Sequence, residues 1–364
     1  MHTYLEALDC RTALGNADAT VTALLEGRVA LRLLPVNTDP ASDRVPLAPR
    51  GDISLGTPPR WWEDLTEFLA AVPGEEWGSP RKPILLSSSN FGIDRLYAIG
   101  AGAPPDAGAN TWATAQGIAR HLRRQFGWGP NLHIFSHACV SAHLATAAAD
   151  SWLREGVTEK ALVVSFDYVG PFVSSGFHSL KILNAGMPAP YADRPEGSIG
   201  LGDGAAWAIL STNPAQWRIE GLSQWNEMHH FTANDPSGSG FDKVVAPLAP
   251  LLEGRALWIK GHGTGTLDAG RLEAECMQRV VPGAPLVSWK GSIGHTLGSC
   301  ALVELVLAVR AHDGGRIPGT TGTDAPVFAP NVATGNFDAD PARSVLLLCN
   351  AFGGAHGALL VSHA

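Results

Sequence analysis

The chain has 364 residues, of which 45% are hydrophobic and 16% are charged, and its formal net charge is −8. A chain of this length and composition can bury a large core in one or two globular domains. The acidic balance argues against general nucleic-acid binding, which requires a basic surface. The five cysteines are odd in number, irregularly spaced and without a CxxC pair, which excludes a disulfide framework and a zinc ribbon.

The first residues, MHTYLEALDC, lack the basic and apolar regions of a secretory signal. The apolar run ALVELVLAV, residues 301–309, is too short to span a bilayer and carries Glu304. We therefore expect a cytoplasmic protein in a reducing environment, with no membrane partner and no nucleic-acid partner.

In chain order, the first irregular feature is a stretch rich in Pro, Asp and Ser at residues 36–60, which predicts an irregular surface segment. Six later apolar runs have the length of strands and do not alternate, which is typical of strands covered on both faces. They are residues 84–89, 161–166, 205–210, 256–261, 344–349 and 358–363.

Helical patterns accompany these strands at residues 112–127, 140–153 and 296–312. In the second of them, four apolar residues recur at four-residue spacing and predict one buried face. They are Val140, Leu144, Ala148 and Trp152. The alternation of strands and helices predicts an α/β protein with layered sheets.

Cys139 lies where the segment HIFSHA gives way to the predicted helix 140–153. The positive end of the helix dipole would stabilise its thiolate and lower its pKa, as a nucleophile requires. On these residues alone, two other interpretations stay open. Cys139 could be a packed core residue, as most free cysteines are, or a metal ligand with His133, His137 and His143. Four ligands at a strand-to-helix junction would point in several directions, which disfavours the metal site.

The window GHGTGT, residues 261–266, follows a predicted strand. Its glycines would let the backbone approach a ligand closely, and the hydroxyls of Thr264 and Thr266 could bind an amide-bearing chain. The spacing is not that of a P-loop. The alternative is a glycine-rich turn in which His262 is incidental.

Two further windows carry polar residues next to apolar ones. KGSIGHTLGS, residues 290–299, begins at Lys290, includes His295 and precedes a helix with Glu304 in its apolar face. A buried carboxylate needs a partner, and Lys290 is a suitable one. NAFGGAHG predicts a strand, a turn and a strand, and the glycines after Phe352 would let a backbone N–H point into a cavity. A solvated lysine, a capping histidine and an ordinary hairpin turn are the alternatives.

In this order and spacing, the four windows resemble those of the β-ketoacyl synthase family, the condensing enzymes of fatty acid and polyketide synthesis. Cys139 resembles the nucleophile of the Ala-Cys elbow, and GHGTGT is similar to the family's His-Gly-Thr-Gly-Thr. KGSIGHTLGS resembles Lys-Ser-x-x-Gly-His-Thr-x-Gly, and NAFGGAHG resembles Phe-Gly-Phe-Gly-Gly-Thr-Asn. The resemblance implies a thiolase-like fold, with two similar halves in a five-layer αβαβα sandwich. Residues 1–212 would form the half with the nucleophile, and residues 213–364 the half with both histidines.

The resemblance also implies a chemistry. Cys139 would accept an acyl chain from the phosphopantetheine arm of an acyl carrier protein, and no other cofactor is expected. The backbone N–H groups of Cys139 and Phe352 would form the oxyanion hole, and the Phe352 ring would gate access. His262 and His295 would stabilise the enolate formed when a malonyl thioester loses CO2.

Four more residues receive supporting roles from the resemblance. Lys290 and Glu304 would form a pair that holds His295 in place. Thr264 and Thr266 would bind the amides of the pantetheine arm. Ala355 and His356 depart from the family pattern, which has Thr-Asn there.

The acidic carrier protein would dock on basic residues. Arg120, Arg123 and Arg124 share one helical face at i, i+3 and i+4, and we expect them to form the docking patch, with a solvated helix face as the alternative. A dimer with an identical or a second ketosynthase-like subunit is expected. The leading prediction is an elongating synthase. The alternatives are a chain-binding or chain-length subunit of another synthase, and an acyltransferase or thioester hydrolase.

Overall fold

A computed structural model describes residues 1–51, 53, 59–74, 76–102, 112–194, 197–230, 232–324 and 327–364. The strands are β1 (Thr3–Thr12), β2 (Gly15–Asn16), β3 (Arg32–Pro35), β4 (Arg44–Ala48), β5 (Ile84–Ser87), β6 (Leu132–Phe135), β7 (Lys160–Asp167), β8 (Leu201–Gly202), β9 (Gly204–Ser211), β10 (Trp217–Asn226), β11 (Leu257–Lys260), β12 (Leu286–Val287), β13 (Arg316–Ile317), β14 (Phe337–Asp338), β15 (Ser344–Ala351) and β16 (Ala355–His363). The helices are α1 (Ala17–Leu25), α2 (Trp61–Leu69), α3 (Ile93–Gly100), α4 (Ala115–Phe126), α5 (Ser141–Arg154), α6 (Pro171–Ser179), α7 (Ser239–Val245), α8 (Ala249–Leu252), α9 (Leu267–Val280), α10 (Lys290–Ile293) and α11 (Cys300–Asp313).

Two groups of five strands repeat the same order. The first runs β6-β5-β7-β9-β1 and the second runs β12-β11-β15-β16-β10. In each group the first three strands are parallel, and the two remaining contacts are antiparallel. Strands β1 and β10 pair antiparallel and join the groups into one continuous sheet. The two similar halves are therefore confirmed, while a boundary between residues 212 and 213 remains a prediction.

Side chains of each strand alternate between two cores, because successive residues point to opposite faces of a sheet. On β15, Val345 and Leu347 contact the central helices α5 and α11, whereas Leu346 and Leu348 pack towards the outer helices α7 and α9. On β5, Leu85 faces the central helices, and its neighbours face α2 and α4. The layers are thus helices, sheet, central helices, sheet and helices, which confirms the predicted thiolase-like sandwich.

All six apolar runs predicted as strands are strands, and the three predicted helices correspond to α4, α5 and α11. The apolar face predicted for α5 is buried only in part. Val140 is buried, but Leu144, Ala148 and Trp152 are only partly buried. The fully buried residues are Ser141, Ala142, Ala145, Ala149 and Leu153. The helix lies between two sheets, so its smallest side chains occupy the positions of closest approach.

The prediction of an irregular surface segment at residues 36–60 is wrong in part. Residues 44–48 form β4, which pairs with β3 and β8, and Val45 and Leu47 are fully buried. Pairing with strands distant in the chain outweighs the local turn-forming composition. Residues 52 and 54–58 lie outside the described part of the chain. Among the described residues, no helix has both the length and the hydropathy needed to cross a bilayer.

Candidate active site

The nucleophile candidate lies on a sharp elbow between β6 and α5. Ala138 has φ 45°, a left-handed conformation that is strained for a residue with a side chain. The Ser141 hydroxyl supports it, since it donates to the Ala138 carbonyl at 2.7 Å and accepts from the His137 N–H at 2.8 Å. The elbow holds Cys139 at the wall of a cavity, where only 7% of the residue is exposed.

Two histidines from the second half meet Cys139. His262 follows β11, and His295 lies between α10 and α11. Their ring centroids are 5.0 Å apart at an interplanar angle of 89°, and His295 Nε2 lies 3.0 Å from Cys139 Sγ. Three side chains separated by up to 156 positions thus converge on one point.

The backbone of the GHGTGT loop is held by Glu273 on α9. Its carboxylate accepts the N–H of His262 at 2.7 Å, the N–H of Gly263 at 2.9 Å and the hydroxyl of Tyr191 at 2.8 Å. These contacts orient His262 towards the cavity. Nothing local in the sequence singles out Tyr191, because it lies in an irregular segment without periodic pattern.

Lys290 and Glu304 form an ion pair, with Nζ and Oε1 2.5 Å apart and both residues buried. A third member of this group was not predicted from the sequence. Lys260, the last residue of β11, places its Nζ 3.0 Å from the other oxygen of Glu304. Its only local signal is a lysine at the end of an apolar strand, two positions before His262.

Both histidines are held in the neutral state. Burial and the neighbouring Lys290 lower the pKa of His262 well below its ordinary value, and the same two causes, with Lys260, act on the pKa of His295. In the described part of the chain, Nδ1 of neither ring has a hydrogen-bond partner. A buried donor without an acceptor is costly, so the ring proton is favoured on Nε2.

The expected lowering of the Cys139 pKa is wrong. Burial raises the pKa of this thiol well above its ordinary value, Cys300 acts in the same direction, and Lys290 opposes them. Desolvation disfavours the charged thiolate, and Cys139 lies two residues before the first residue of α5. The resting side chain is therefore a thiol.

The cavity at these residues has a volume of about 630 Å³. Its wall includes Cys139, His262, His295, Thr264, Thr266 and Phe352. The hydroxyls of Thr264 and Thr266 are 3.1 Å apart. Phe177 and Ile199, which the sequence analysis did not select, also line it, and Phe177 stacks on Phe352 with centroids 5.4 Å apart. A more open groove of about 740 Å³ between residues 249–257 and 280–284 contains none of the site residues.

Three other predicted groups lie elsewhere. Arg120, Arg123 and Arg124 are on α4, in an outer helix layer, and none lines the cavity. The four residues of the metal alternative do not converge, since His143 Nε2 contacts the Ser223 carbonyl and His133 contacts Asn131. The described residues hold no cluster of three or more His, Cys, Asp or Glu side chains suited to a metal ion.

Residues 222–324 match the model of the beta-ketoacyl synthase C-terminal domain. The ketoacyl synthase alpha subunit of the tetracenomycin polyketide synthase from Streptomyces glaucescens is 25% identical, over 74% of this chain and 71% of its own. The chain is thus similar to β-ketoacyl synthases, and its residues 222–324 match their C-terminal domain. Two other matching proteins are far longer: this chain spans only 9% of methylphloroacetophenone synthase from Cladonia uncialis and 10% of the polyketide synthase-like protein Preu9 from Preussia isomera.

Solved structures of ketosynthases share the fold. A β-ketoacyl synthase from Burkholderia phymatum has a TM-score of 0.85 at 19% identity, over 100% of this chain and 99% of its own. A ketosynthase in complex with its chain length factor, from Xenorhabdus doucetiae, has a TM-score of 0.80 at 18% identity, over 100% of this chain and 98% of that one. The full coverage shows that the thiolase-like fold extends along the whole chain.

Proposed function

We propose that this chain is an elongating β-ketoacyl synthase, which condenses an acyl group held on Cys139 with a malonyl group on an acyl carrier protein. The observation that carries the proposal is the contact of Cys139 Sγ with His295 Nε2 at 3.0 Å, beside His262, in a cavity lined by Thr264 and Thr266. A nucleophile, two neutral hydrogen-bond donors and a binding wall are the parts that a decarboxylative condensation needs.

The first step transfers the acyl chain. The sulfur of Cys139 attacks the thioester carbonyl of the incoming chain, the bond to the pantetheine sulfur breaks, and the departing thiolate takes up the proton that Cys139 loses. The backbone N–H groups of Cys139 and Phe352 stabilise the oxyanion of the tetrahedral intermediate. The turn after Phe352 supports this role, because Gly353 and Gly354 adopt φ values of 84° and 73° that permit a tight turn, and Phe352 lines the same cavity as Cys139.

The second step forms the new carbon–carbon bond. The malonyl carboxylate leaves as CO2, and its electron pair remains as an enolate whose oxygen accepts hydrogen bonds from His262 and His295. The enolate carbon then attacks the acyl group, the bond to Cys139 breaks, and the thiolate is reprotonated from solvent. Neutral histidines suit this step because each is needed as a donor and neither has to lose its proton.

We infer an acyl carrier protein and a second ketosynthase-like chain as partners. Lys181 and Arg271 lie at the rim of the cavity and would face an acidic carrier, whereas the proposed patch of Arg120, Arg123 and Arg124 lies outside the cavity wall. Strand β6 ends the sheet on the side of the nucleophile and offers an edge for dimer formation. The similar structure from Xenorhabdus doucetiae is a ketosynthase in complex with its chain length factor, which supports a second, non-identical chain as the partner.

The test is mass spectrometry of carrier-bound products from the purified chain, a short acyl carrier thioester and malonyl carrier protein. We expect a β-keto product two carbons longer, lost in Cys139→Ala and kept in the matched control Cys10→Ala, a buried cysteine of β1.

Other outcomes separate the alternatives. An adduct on Cys139 with product only after addition of a second subunit would assign this chain to a heterodimer. An adduct that turns over to free acid or to another acceptor indicates a hydrolase or an acyltransferase. Neither adduct nor product across several chain lengths would contradict the proposal and favour a chain-binding subunit.

A further inference from the structure

Lys260 is a fully buried lysine that none of the four sequence windows explains. Its Nζ lies 3.0 Å from Glu304 Oε2, donates to the Gly261 carbonyl at 2.6 Å, and lies 5.4 Å from the centroid of the Trp289 ring. Lys290 binds the opposite oxygen of the same carboxylate. One glutamate is therefore held between two buried ammonium groups.

This arrangement is poorly suited to stability alone. Transferring an ammonium group from water to a protein interior costs several kcal/mol, and an apolar side chain of the same volume is often as good or better. Lys290 by itself already neutralises Glu304. Lys260 lies on the same face of β11 as Trp258, which packs in the central core, so a methionine would fit the apolar part of its site.

The positive charge of Lys260 acts on the pKa values of His262 and His295. Besides the histidines themselves, the titratable groups around them are Lys260, Lys290, Glu304, Glu273, Cys139 and His356. Glu304 is paired, and Glu273 accepts three hydrogen bonds from the GHGTGT loop and Tyr191. Lys260 shares its nearest carboxylate with Lys290 and is also attracted by Glu273, so its positive charge is compensated only in part, and it lowers the pKa of both His262 and His295.

We propose that Lys260 is a positioning residue of the condensing site, whose buried ammonium fixes Glu304 opposite Lys290 and places a second positive charge behind His262 and His295. This charge disfavours protonation of the histidines and favours negative charge on an oxygen bound between them. The effect on rate rests on the proposed condensing function, but the effect on the histidines does not.

Two pH signatures follow. Removing a positive charge makes a nearby histidine easier to protonate, so substitution of Lys260 moves the acid-side loss of activity to higher pH. Burial lowers the pKa of Lys260 to about 8, although Glu304 opposes this. As the pH rises through that value the ammonium is lost, so the wild-type rate should fall there, and the variants should lack this alkaline step.

The experiment compares the full-length wild type with Lys260→Met and Lys260→Gln. Glutamine keeps a donor for Glu304 without the charge, which separates the hydrogen bond from the electrostatic effect. Lys160→Met is the matched control, because Lys160 pairs with Glu6 on β1 outside the cavity wall. Histidine ring NMR titrations, assigned with His262→Ala and His295→Ala, and rates of CO2 release from malonyl carrier protein are measured from pH 4.5 to 9.

In both Lys260 variants we expect the pKa of each histidine to rise by about one unit and CO2 release at pH 7 to fall about tenfold. Lys160→Met should match the wild type. Unchanged histidine titrations, or a glutamine variant that behaves as the wild type, would overturn the inference. If the methionine variant does not fold, the glutamine variant carries the test.

The histidine titrations also distinguish the two proposals. A shift of the histidine pKa values in a chain that makes no product would support the role of Lys260 and contradict the condensing function. If the wild type is active and the histidine pKa values are unchanged in the Lys260 variants, the result would support the condensing function and contradict the role of Lys260.

Discussion

The two halves of the molecule share one strand order. They differ in the length of the connection between the corresponding antiparallel strands, which are β7 and β9 in the first half and β15 and β16 in the second. In the first half, residues 168–203 connect β7 to β9, contain α6 and β8, and supply Phe177 and Ile199 to the cavity. In the second half, residues 352–354 alone connect β15 to β16. The long connection contributes Phe177 and Ile199 to the cavity wall, and the short one contributes Phe352 and Gly354. Phe177 and Phe352, one from each connection, stack at their meeting point.

The two central helices, α5 and α11, also differ in what they bury. Helix α5 follows the nucleophile and packs through alanines, whereas α11 buries Glu304 between two lysines. The first half thus supplies the candidate nucleophile Cys139, and the second half supplies the buried charges and the two histidines. A duplicated fold can divide one reaction between its halves, because loops and single buried side chains change without changing the sheets.

The largest expected effect is on the second half. Glu304→Gln removes the carboxylate that two buried ammonium groups share, and we expect it to lower the free energy of unfolding by about 3–5 kcal/mol. Urea denaturation measures this. The double variant Glu304→Gln with Lys260→Met has one uncompensated charge fewer and should recover part of the loss. Equal stability of wild type and Glu304→Gln would contradict the charge arrangement.

His262→Ala separates the two half-reactions. Removing one preorganised donor typically lowers a rate by about 10²–10³-fold, so condensation should fall by that factor while acylation of Cys139 continues. Intact-protein mass spectrometry follows the acyl adduct, and product analysis follows condensation. His363→Ala, at the end of β16, is the control and should leave both unchanged. Loss of acylation in His262→Ala would show that the two halves do not divide the chemistry.

The first half has its own buried histidine. Burial lowers the pKa of His143 to about 4, although a hydrogen bond with the Ser223 carbonyl opposes this. The unfolded chain binds this proton more readily, so stability is fully present above pH 6.5 and is lost as the pH falls towards 4. We expect His143 to account for about 3 kcal/mol of that loss.

Urea denaturation from pH 7 to pH 4 measures this contribution. The unfolding free energy of His143→Gln should fall less steeply with decreasing pH than that of the wild type. His133→Gln, which removes an exposed histidine bonded to Asn131, should keep the wild-type slope. Parallel curves for wild type and His143→Gln would show that this ring is not held neutral.

The smallest effect concerns the contact between the two connections. Phe177→Ala removes the ring that stacks on Phe352 and should increase the rate of Cys139 alkylation by iodoacetamide several-fold, because the Phe352 ring, the proposed gate, loses its support. Phe172→Ala, an exposed phenylalanine on the same helix, serves as control. Peptide mass spectrometry reports the modification of Cys139. Equal rates of Cys139 alkylation in the two variants would show that the contact between Phe177 and Phe352 does not control access to Cys139.

Much of this arrangement could be predicted from the sequence. Continuous apolar runs predicted the strands because a strand covered on both faces needs apolar residues at every position. The order of Cys139, His262, Lys290 and His295 predicted the candidate site, because each of these residues lies in a short local motif beside a strand or helix end. The buried face of α5 was not predictable from apolar spacing, since a helix between two sheets is buried on several sides and steric fit selects alanine.

The sequence by itself therefore determined most element types, the resemblance to β-ketoacyl synthases and the candidate nucleophile and histidines. Only the tertiary structure decided that Lys260 shares Glu304 with Lys290, that Phe177 meets Phe352, and that burial raises the pKa of Cys139. These three results depend on distances between residues far apart in the chain and on the exclusion of water from the assembled core. Local patterns carry no information about either, because both arise only when the two sheets and the central helices pack together.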